Sequence, residues 1–234
     1  MNPHKSSKYR TIYADPPWPE YGGGKIKRGA DRHYPLMSLK AIVHLGDALQ
    51  EHIADDGCHL YLWVTNTHLA NGFLVMDRWG FDYKTTITWV KDRFGLGQYY
   101  RGQTEHCLFG ARGRLPYRTT EAGKRSQGVT AIHAPRTVHS AKPDEMRGMI
   151  EKVSYAPRLE LFARRRFEGW DSWGNEVQSD VVLANRLRVG EGRCGGGGVP
   201  AGMSGDGAAV CCVEDCEIAH LSPIACTHTM GAGE

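Results

Sequence analysis

The stretch Asp15-Pro16-Pro17-Trp18 follows the apolar, β-branched run Tyr9–Ala14. This pattern predicts a buried strand that ends in a rigid loop, because each proline fixes its own φ and biases the preceding residue toward extended geometry. Asp15 is therefore expected at the strand tip as a carboxylate acceptor, with proline carbonyls and an indole ring beside it. These groups suit a planar base that carries an amino group. A proline-rich turn with a capping Asp is the alternative.

The next segments alternate between helix and strand patterns. Ser38 is a good N-cap for an amphipathic helix to about Ala54, and residues 58–65 form an apolar run typical of a buried strand. A second helix is expected to end at Trp79, and residues 81–90 are rich in the β-branched and aromatic residues of strands. The order strand, helix, strand, helix, strand predicts a doubly wound α/β sheet.

Three polar groups follow the first three predicted strands, namely Asp15, Thr65-Asn66 and Lys91-Asp92. In a doubly wound sheet, ligands bind outside the carboxyl ends of the strands, so these groups are expected to converge on one edge. Further along, residues 105–110 predict a strand, a helix is expected from about Pro143, and residues 158–164 predict the last strand.

Basic residues are concentrated in the first 178 residues, which carry 26 Lys and Arg against 19 Asp and Glu. This excess favours a polyanionic partner. Two glycine-rich loops mix basic and aromatic residues, and the long segment 111–142 has seven basic residues against one acid. We predict that these segments contact nucleic acid, with solvated loops as the alternative. The predicted contact residues are Tyr21, Lys25, Lys27, Arg28, Arg101, Arg112, Arg114, Arg118, Lys124 and Arg125.

Residues 179–234 differ from the rest in composition. Eleven glycines and few large apolar residues predict a disordered tail after a folded domain of residues 1–178. Five of the seven cysteines lie there, at spacings that match no common zinc site, so no metal is predicted. No apolar run is long enough to cross a membrane and no secretory signal is evident, so a cytoplasmic protein is expected.

Six blocks of the sequence resemble the successive motifs of the MT-A type N(6)-adenine methyltransferases, the family related to the large subunit of messenger-RNA adenosine methyltransferase. They occur in the family's order between about residues 9 and 177. The resemblance implies a Rossmann-like fold that uses S-adenosyl-L-methionine, permuted so that the D-P-P-W motif precedes the cofactor strand. The blocks are Asp15-Pro-Pro-Trp18, Leu62-Trp-Val-Thr-Asn66, Trp89-Val-Lys91, Glu105-His-Cys-Leu-Phe-Gly110, His139-Ser-Ala-Lys-Pro-Asp-Glu145 and Glu160-Leu-Phe-Ala-Arg164.

The same resemblance implies the site residues. The catalytic motif comprises Asp15, Pro16, Pro17 and Trp18, and the Asp15 carboxylate and Pro16 carbonyl are expected to accept the two N–H bonds of adenine's exocyclic amine. A flipped base is expected to stack on Trp18 or Tyr21. The cofactor residues carried over from the family are Asp15, Lys142, Glu160, Arg164, Asn175 and Glu176.

The leading hypothesis is therefore methylation of adenine in nucleic acid by an S-adenosylmethionine-dependent enzyme. DNA is the preferred substrate, because only eight residues precede the first strand and no additional amino-terminal domain is evident. Such a compact chain resembles bacterial or phage members with a modification or restriction-protection role. An RNA adenine methyltransferase is the first alternative, and a catalytically silent nucleic-acid-binding subunit is the second. A homo-oligomer is left open.

Overall fold

The computed structural model describes residues 8–19, 36–95, 97, 99–115, 118–136 and 141–183. Within these residues a seven-stranded mixed sheet is flanked by three α-helices. The strands are β1 (Thr11–Ala14), β2 (Gly57–Val64), β3 (Asp82–Val90), β4 (Thr104–Gly113), β5 (Ala131–His133), β6 (Arg158–Leu161) and β7 (Asp171–Trp173). The helices are α1 (Leu39–Leu49), α2 (Leu69–Arg78) and α3 (Glu145–Val153), and the strand order is β5-β3-β4-β2-β1-β6-β7.

The short strand β1 lies inside the sheet between β2 and β6 and is parallel to both. Helix α1 leads from β1 to β2 on one face, and α3 precedes β6 on the other face. The connections therefore diverge at the β1–β6 boundary, which is where an α/β sheet opens a ligand-binding crevice. Asp15 follows directly after β1, so the fold places it at the mouth of this crevice.

Two hydrophobic clusters fix the helices to the sheet, because side chains alternate between its faces along each strand. In β2, Leu60 and Leu62 pack with α1 and α2, whereas Tyr61 and Trp63 pack on the side of α3. Ser38 caps α1 as predicted, with its side chain accepting the backbone N–H of Ala41. The buried faces on both sides confirm the predicted α/β class.

The sheet differs from the prediction in two respects. Strand β4 runs antiparallel between β3 and β2, a direction that the spacing of elements did not indicate. Two strands of three residues each, β5 and β7, were not predicted, because so short a segment carries too little periodicity. Strand β5 lies inside the long cationic segment 111–142, and it pairs in parallel with the end of β3.

The folded unit extends past the predicted boundary at residue 178. Asp180 accepts hydrogen bonds from the Ser172 N–H at 2.9 Å and from Arg166 at 2.6 Å, and Leu183 is buried in the core. The chain divides into two units after Arg188, and the second unit, like all residues from 184, lies outside the described residues. Disorder of the tail stays a prediction. No helix in the described part of the chain combines the length and apolarity that crossing a membrane requires.

Candidate active site

A row of alternating charges runs along the edge of the sheet where β1 ends. The Lys142 ammonium donates to the Asp15 carboxylate at 2.7 Å and lies 3.3 Å from the second oxygen of Glu105. Lys91, at the end of β3, pairs with the other Glu105 oxygen. The antiparallel strand β4 brings Glu105 here, because its first residues share the edge with the last residues of β1 and β2. This row joins residues from four of the six predicted motifs in one cluster.

Glu105 is the buried centre of this row. Burial disfavours its ionised form, but the adjacent charges of Lys142 and Lys91 hold the pKa of Glu105 below its usual value. Both lysines also lie over indole rings, Lys142 at 5.5 Å from the Trp63 centroid and Lys91 at 4.7 Å from that of Trp89. The position of Lys142 beside Asp15 is therefore fixed by its charge partners and by its ring contact.

Asn66, which was predicted to lie near Asp15 and Lys91, is found at the same edge. Its side-chain oxygen is 2.7 Å from His106 Nε2, and its amide donates to the Thr104 hydroxyl at 3.3 Å. His106 in turn contacts the Thr88 hydroxyl at 3.1 Å through Nδ1. Burial lowers the pKa of His106, opposed by the nearby charge of Glu105. The predicted convergence of polar groups after β1, β2 and β3 is thus observed.

The D-P-P-W loop is held by its own backbone and by Trp18. The Trp18 N–H donates to the Pro16 carbonyl at 2.9 Å, and the Met37 N–H donates to the Pro17 carbonyl at 2.9 Å. The Trp18 indole N–H donates to the Trp63 carbonyl at 2.9 Å, and the ring is only 8% exposed. The predicted stacking of a base on Trp18 does not fit this burial. Trp18 instead anchors the loop that presents Asp15.

His68 provides a second anchor for the loop. It stacks on the Trp18 ring at 5.2 Å between centroids, and its Nε2 lies 2.6 Å from the Pro19 carbonyl. A carbonyl only accepts, so Nε2 carries the proton, while Nδ1 accepts from the Asn71 amide at 2.9 Å. These contacts hold the His68 ring in place and close the loop against the start of α2. This anchor could not be predicted from local sequence patterns, since its partners are 49 residues apart.

A cavity of ≈ 310 Å³ opens beside Asp15 at the end of β6. Five of the six predicted cofactor residues line it, and Asn175 does not, although it is adjacent in sequence to Glu176. Arg164 and Glu176 face each other across it with 3.8 Å between Nε and Oε1. The lining residues are Tyr13, Asp15, Ala141, Lys142, Arg147, Glu160, Phe162, Arg164, Arg165 and Glu176.

Arg147 and Glu160 form a buried ion pair in this cavity, with 2.6 Å between Arg147 Nη2 and Glu160 Oε1. The Arg147 guanidinium also stacks on Phe167, 3.6 Å from the ring centroid. Burial raises the pKa of Glu160, and Arg147 opposes that shift. Two buried atoms of the pair, Arg147 Nε and Glu160 Oε2, have no hydrogen-bond partner among the described residues. The cavity therefore offers both a donor and an acceptor to a polar ligand.

Phe162 marks the strained exit from β6. Its φ of 63° lies in the left-handed region, which aromatic residues rarely adopt, and its ring packs edge-on against Trp173. Such strain concentrates at ligand-binding sites, where the surrounding structure enforces it. Phe162, Arg147 and Arg165 line the cavity but were not predicted as site residues. Their proximity depends on pairing between α3, β6 and β7, which local sequence patterns do not specify.

The predicted nucleic-acid residues fall into separate groups. Arg101 lies in the loop after β3, on the edge that carries Asp15. Tyr21, Lys25, Lys27 and Arg28 lie outside the described residues. Arg112 pairs across from Cys58, the second residue of β2, which places it roughly 20 Å from the Asp15 edge at 3.3 Å per residue.

Arg114 and Arg118 also lie away from the Asp15 edge. The Arg114 N–H donates to the Asp56 carbonyl before β2, and Arg118 donates to the Glu151 and Ser154 carbonyls at the end of α3. Lys124 and Arg125 belong to the adjacent turn, in which the Thr120 N–H donates to the Lys124 carbonyl. These residues do not lie near the site in the structure. Arg118 instead caps the C-terminal end of α3.

Comparison with known proteins agrees with this geometry. The MT-A70 family model matches residues 9–176. The Type II methyltransferase M.MunI of a Mycoplasma species is 35% identical over 195 residues, covering 75% of this chain and 80% of that protein.

Plant and animal relatives match over a smaller part of their own length. A putative N(6)-adenosine-methyltransferase MT-A70-like protein of Medicago truncatula is 30% identical over 193 residues, covering 78% of this chain and 28% of that protein. The N(6)-adenosine-methyltransferase catalytic subunit METTL3 of Homo sapiens is 29% identical over 205 residues, covering 79% of this chain and 32% of that protein. The family match spans the whole sheet and both sides of the cavity, so this chain belongs to the MT-A70 family.

Proposed function

We propose that this enzyme transfers the methyl group of S-adenosyl-L-methionine to the exocyclic amine of adenine in DNA. The observation that carries the proposal is the position of Asp15. It stands at the end of β1, 28% exposed, on a loop whose backbone and Trp18 are both tied down, and it borders the cavity at the end of β6. A ligand in that cavity and a base beside the loop would share this one carboxylate.

The residues of the chain can perform the part of the reaction that adenine needs. The amine is a poor nucleophile because its lone pair is delocalised into the ring. The Asp15 carboxylate accepts one N–H bond, and the Pro16 carbonyl retains a second lone pair after accepting the Trp18 N–H. Two such acceptors localise the lone pair on nitrogen, and a rigid loop holds them in place without reorganisation.

The cavity residues fit the proposed cofactor. S-adenosylmethionine supplies an activated methyl group on a sulfonium, so no further activation of the donor is required. Lys142, Arg147 and Arg164 offer cationic donors for its carboxylate, and Glu160 and Glu176 offer acceptors for its amine and hydroxyl groups. The unpartnered Arg147 Nε and Glu160 Oε2 are consistent with a polar ligand between them.

DNA is proposed over RNA because this chain covers a larger share of the length of one relative than of the other two. It spans 80% of a relative named as a Type II methyltransferase, but 28% and 32% of two relatives named for adenosine, the ribonucleoside. RNA methylation is the second candidate, supported by those same names. A role in modification or restriction protection, and a cytoplasmic location, stay predictions. The intact Asp15–Lys142 pair favours an active enzyme over a silent subunit.

The test uses substrates that contain many sequence contexts, because the recognition sequence has not been identified. Purified protein is incubated with methyl-labelled S-adenosylmethionine and either unmethylated genomic DNA or RNA transcribed from the same DNA. The products are hydrolysed to nucleosides and analysed by mass spectrometry. We expect N(6)-methyl-2′-deoxyadenosine from DNA. Label confined to RNA would reject the DNA proposal, and label on a base other than adenine would reject the reaction.

A further inference from the structure

The loop between β3 and β4, residues 91–103, exposes aromatic side chains at the edge that carries the active site. We call it the aromatic arm; residues 96 and 98 lie outside the described residues. Tyr99 and Tyr100 are 93% and 92% exposed, and Phe94 is 59% exposed. Side chains this exposed have almost no packing within the domain. Clustered exposed rings typically mark an interaction surface.

Hydrogen bonds join the described residues at the base of the arm as an extension of the β3–β4 hairpin. The Lys91 N–H donates to the Gln103 carbonyl at 2.9 Å, the Gln103 amide returns a bond to the Lys91 carbonyl at 2.9 Å, and the Gly95 N–H donates to the Gly102 carbonyl at 2.6 Å. A Cβ at Gly97 would lie 1.8 Å from the Tyr100 carbonyl oxygen, so the turn admits only glycine there. Tyr99 and Tyr100 therefore lie between residues that hydrogen bonds hold together at the base of the arm.

Position and charge indicate which partner the arm contacts. Lys91 at its base pairs with Glu105, which pairs with Lys142 beside Asp15. Strand β4 lies two strands from β1, roughly 10 Å across the sheet. Arg93 is 82% exposed, and the Arg101 guanidinium lies 5.5 Å from the Phe94 ring centroid. Interleaved arginines and exposed rings are typical of surfaces that stack bases and neutralise phosphates. The arm also lies at the same end of the strands as Asp15, where the proposed function requires the substrate strand.

We propose that Tyr99 and Tyr100 stack on nucleobases of the substrate strand beside the target adenine. The adenine must leave its stack to reach Asp15, and the bases next to it then lose a stacking neighbour. Rings supplied by the arm replace that neighbour. The proposal rests on the proposed function for the identity of the polymer. It adds a second contact region, distinct from the cavity and from the D-P-P-W loop.

The test compares binding by three tyrosine variants of the full-length protein. Tyr99→Ala/Tyr100→Ala removes the rings, Tyr99→Phe/Tyr100→Phe keeps them, and Tyr83→Ala removes an exposed ring at the opposite edge, at the start of β3. The probe is a fluorescein-labelled, single-stranded DNA oligonucleotide of mixed sequence, followed by fluorescence anisotropy at several salt concentrations. We expect the alanine pair to bind roughly tenfold to a hundredfold more weakly. The phenylalanine pair and Tyr83→Ala should bind like the wild type.

The salt dependence separates stacking from loss of charge. Because no phosphate contact is removed, the alanine pair should retain the wild-type slope of log affinity against log salt, whereas Arg101→Gln should reduce it. Wild-type affinity in the alanine pair would overturn the proposal. The proposal would also be overturned if the wild type were a dimer and the alanine pair were a monomer with unchanged DNA affinity. Failure of the wild type to methylate DNA would reject the proposed function, and the anisotropy comparison would still decide the role of the arm.

Discussion

Asp15 is presented to solvent by neighbours that already have hydrogen-bond partners within the protein. The carbonyls of Pro16 and Pro17 accept backbone N–H groups, and Trp18 is buried with its indole N–H bonded to Trp63. The carboxylate therefore cannot move with the loop when a base approaches. Within the described part of the chain, Lys142 competes for it through a hydrogen bond of 2.7 Å. The proposed role of this residue as an amine acceptor rests on that fixed exposure.

Glu105 holds Lys142 in place, and its removal should cost stability in a pH-dependent manner. In Glu105→Gln, Lys91 and Lys142 lose their shared carboxylate, so we expect a loss of about 3 kcal/mol in the free energy of unfolding at neutral pH. The folded pKa of Glu105 lies below the usual 4.5, so its stabilising contribution is complete above that pH. The contribution is lost as the pH falls through the folded pKa.

Urea unfolding at several pH values measures this effect. The difference between wild type and Glu105→Gln should be constant from pH 7 to about pH 5 and shrink in more acidic buffer. Glu121→Gln is the matched control, because Glu121 is exposed in a turn and its loss should change stability by less than about 0.5 kcal/mol. A difference that persists unchanged into acid would contradict the assignment of Glu105 as an ionised partner of both lysines.

Individual site residues were predictable where a motif carries them. Asp15 and Lys142 were expected from the sequence, and they lie 2.7 Å apart. The contacts of Arg147 and Trp18 could not be predicted in this way. Arg147 reaches Glu160 from another element, and the burial of Trp18 depends on Trp63 and His68, which are distant in sequence. Such contacts follow from tertiary packing, which periodicity and local propensity do not encode.

At the level of elements, α2 lies unusually close to the sheet because a glycine faces it. A Cβ on Gly72 would be 2.5 Å from Val64 Cγ1 and 2.9 Å from Leu108 Cδ1. Val64 is the last residue of β2 and leads into the Thr65-Asn66 segment at the active-site edge. Close packing of α2 thus fixes the end of β2 and, through His68 at its start, the D-P-P-W loop.

Two glycine-to-alanine substitutions in different helices should have opposite effects. Gly72→Ala should lower the free energy of unfolding by about 1–3 kcal/mol, because the added methyl group overpacks the helix–sheet interface. In Gly148→Ala the methyl group on α3 meets no atom within 4 Å, so the gain in helix propensity should raise stability by about 0.5–1 kcal/mol. Equal effects in urea unfolding would show that α2 does not pack as described.

The longer elements could be predicted because their patterns are strong. The strand after Gly57 and the helix capped by Ser38 begin within one residue of the positions expected from the sequence. The antiparallel direction of β4 could not be predicted in this way, yet that direction brings Glu105 to the active-site edge. Residue composition also predicted a single loop over residues 111–142, where β5 pairs with β3. Strand direction and short pairings are decided by the partner strand rather than by the segment itself.

Across the whole molecule, the two opposite ends of the strands carry different kinds of residues. The edge at the ends of β1, β2 and β3 carries the charge row, the cavity beside Asp15 and the aromatic arm. At the opposite edge, Arg112 pairs with Gln50, and Arg118 caps α3. Net charge therefore does not by itself indicate where a polyanion binds, because basic side chains also serve as structural partners inside the fold.

The most direct measurement of the central claim is methyl transfer by Asp15→Asn. This substitution keeps the shape of the side chain but replaces one acceptor oxygen by an NH₂ donor, which opposes the adenine amine. Initial rates with labelled S-adenosylmethionine and genomic DNA should fall at least about a hundredfold, the loss expected for one preorganised catalytic contact. Asp55→Asn, at an exposed ion pair with Lys8 on the opposite edge, should keep the wild-type rate. An Asp15→Asn enzyme that is folded and transfers methyl groups at the wild-type rate would contradict the account.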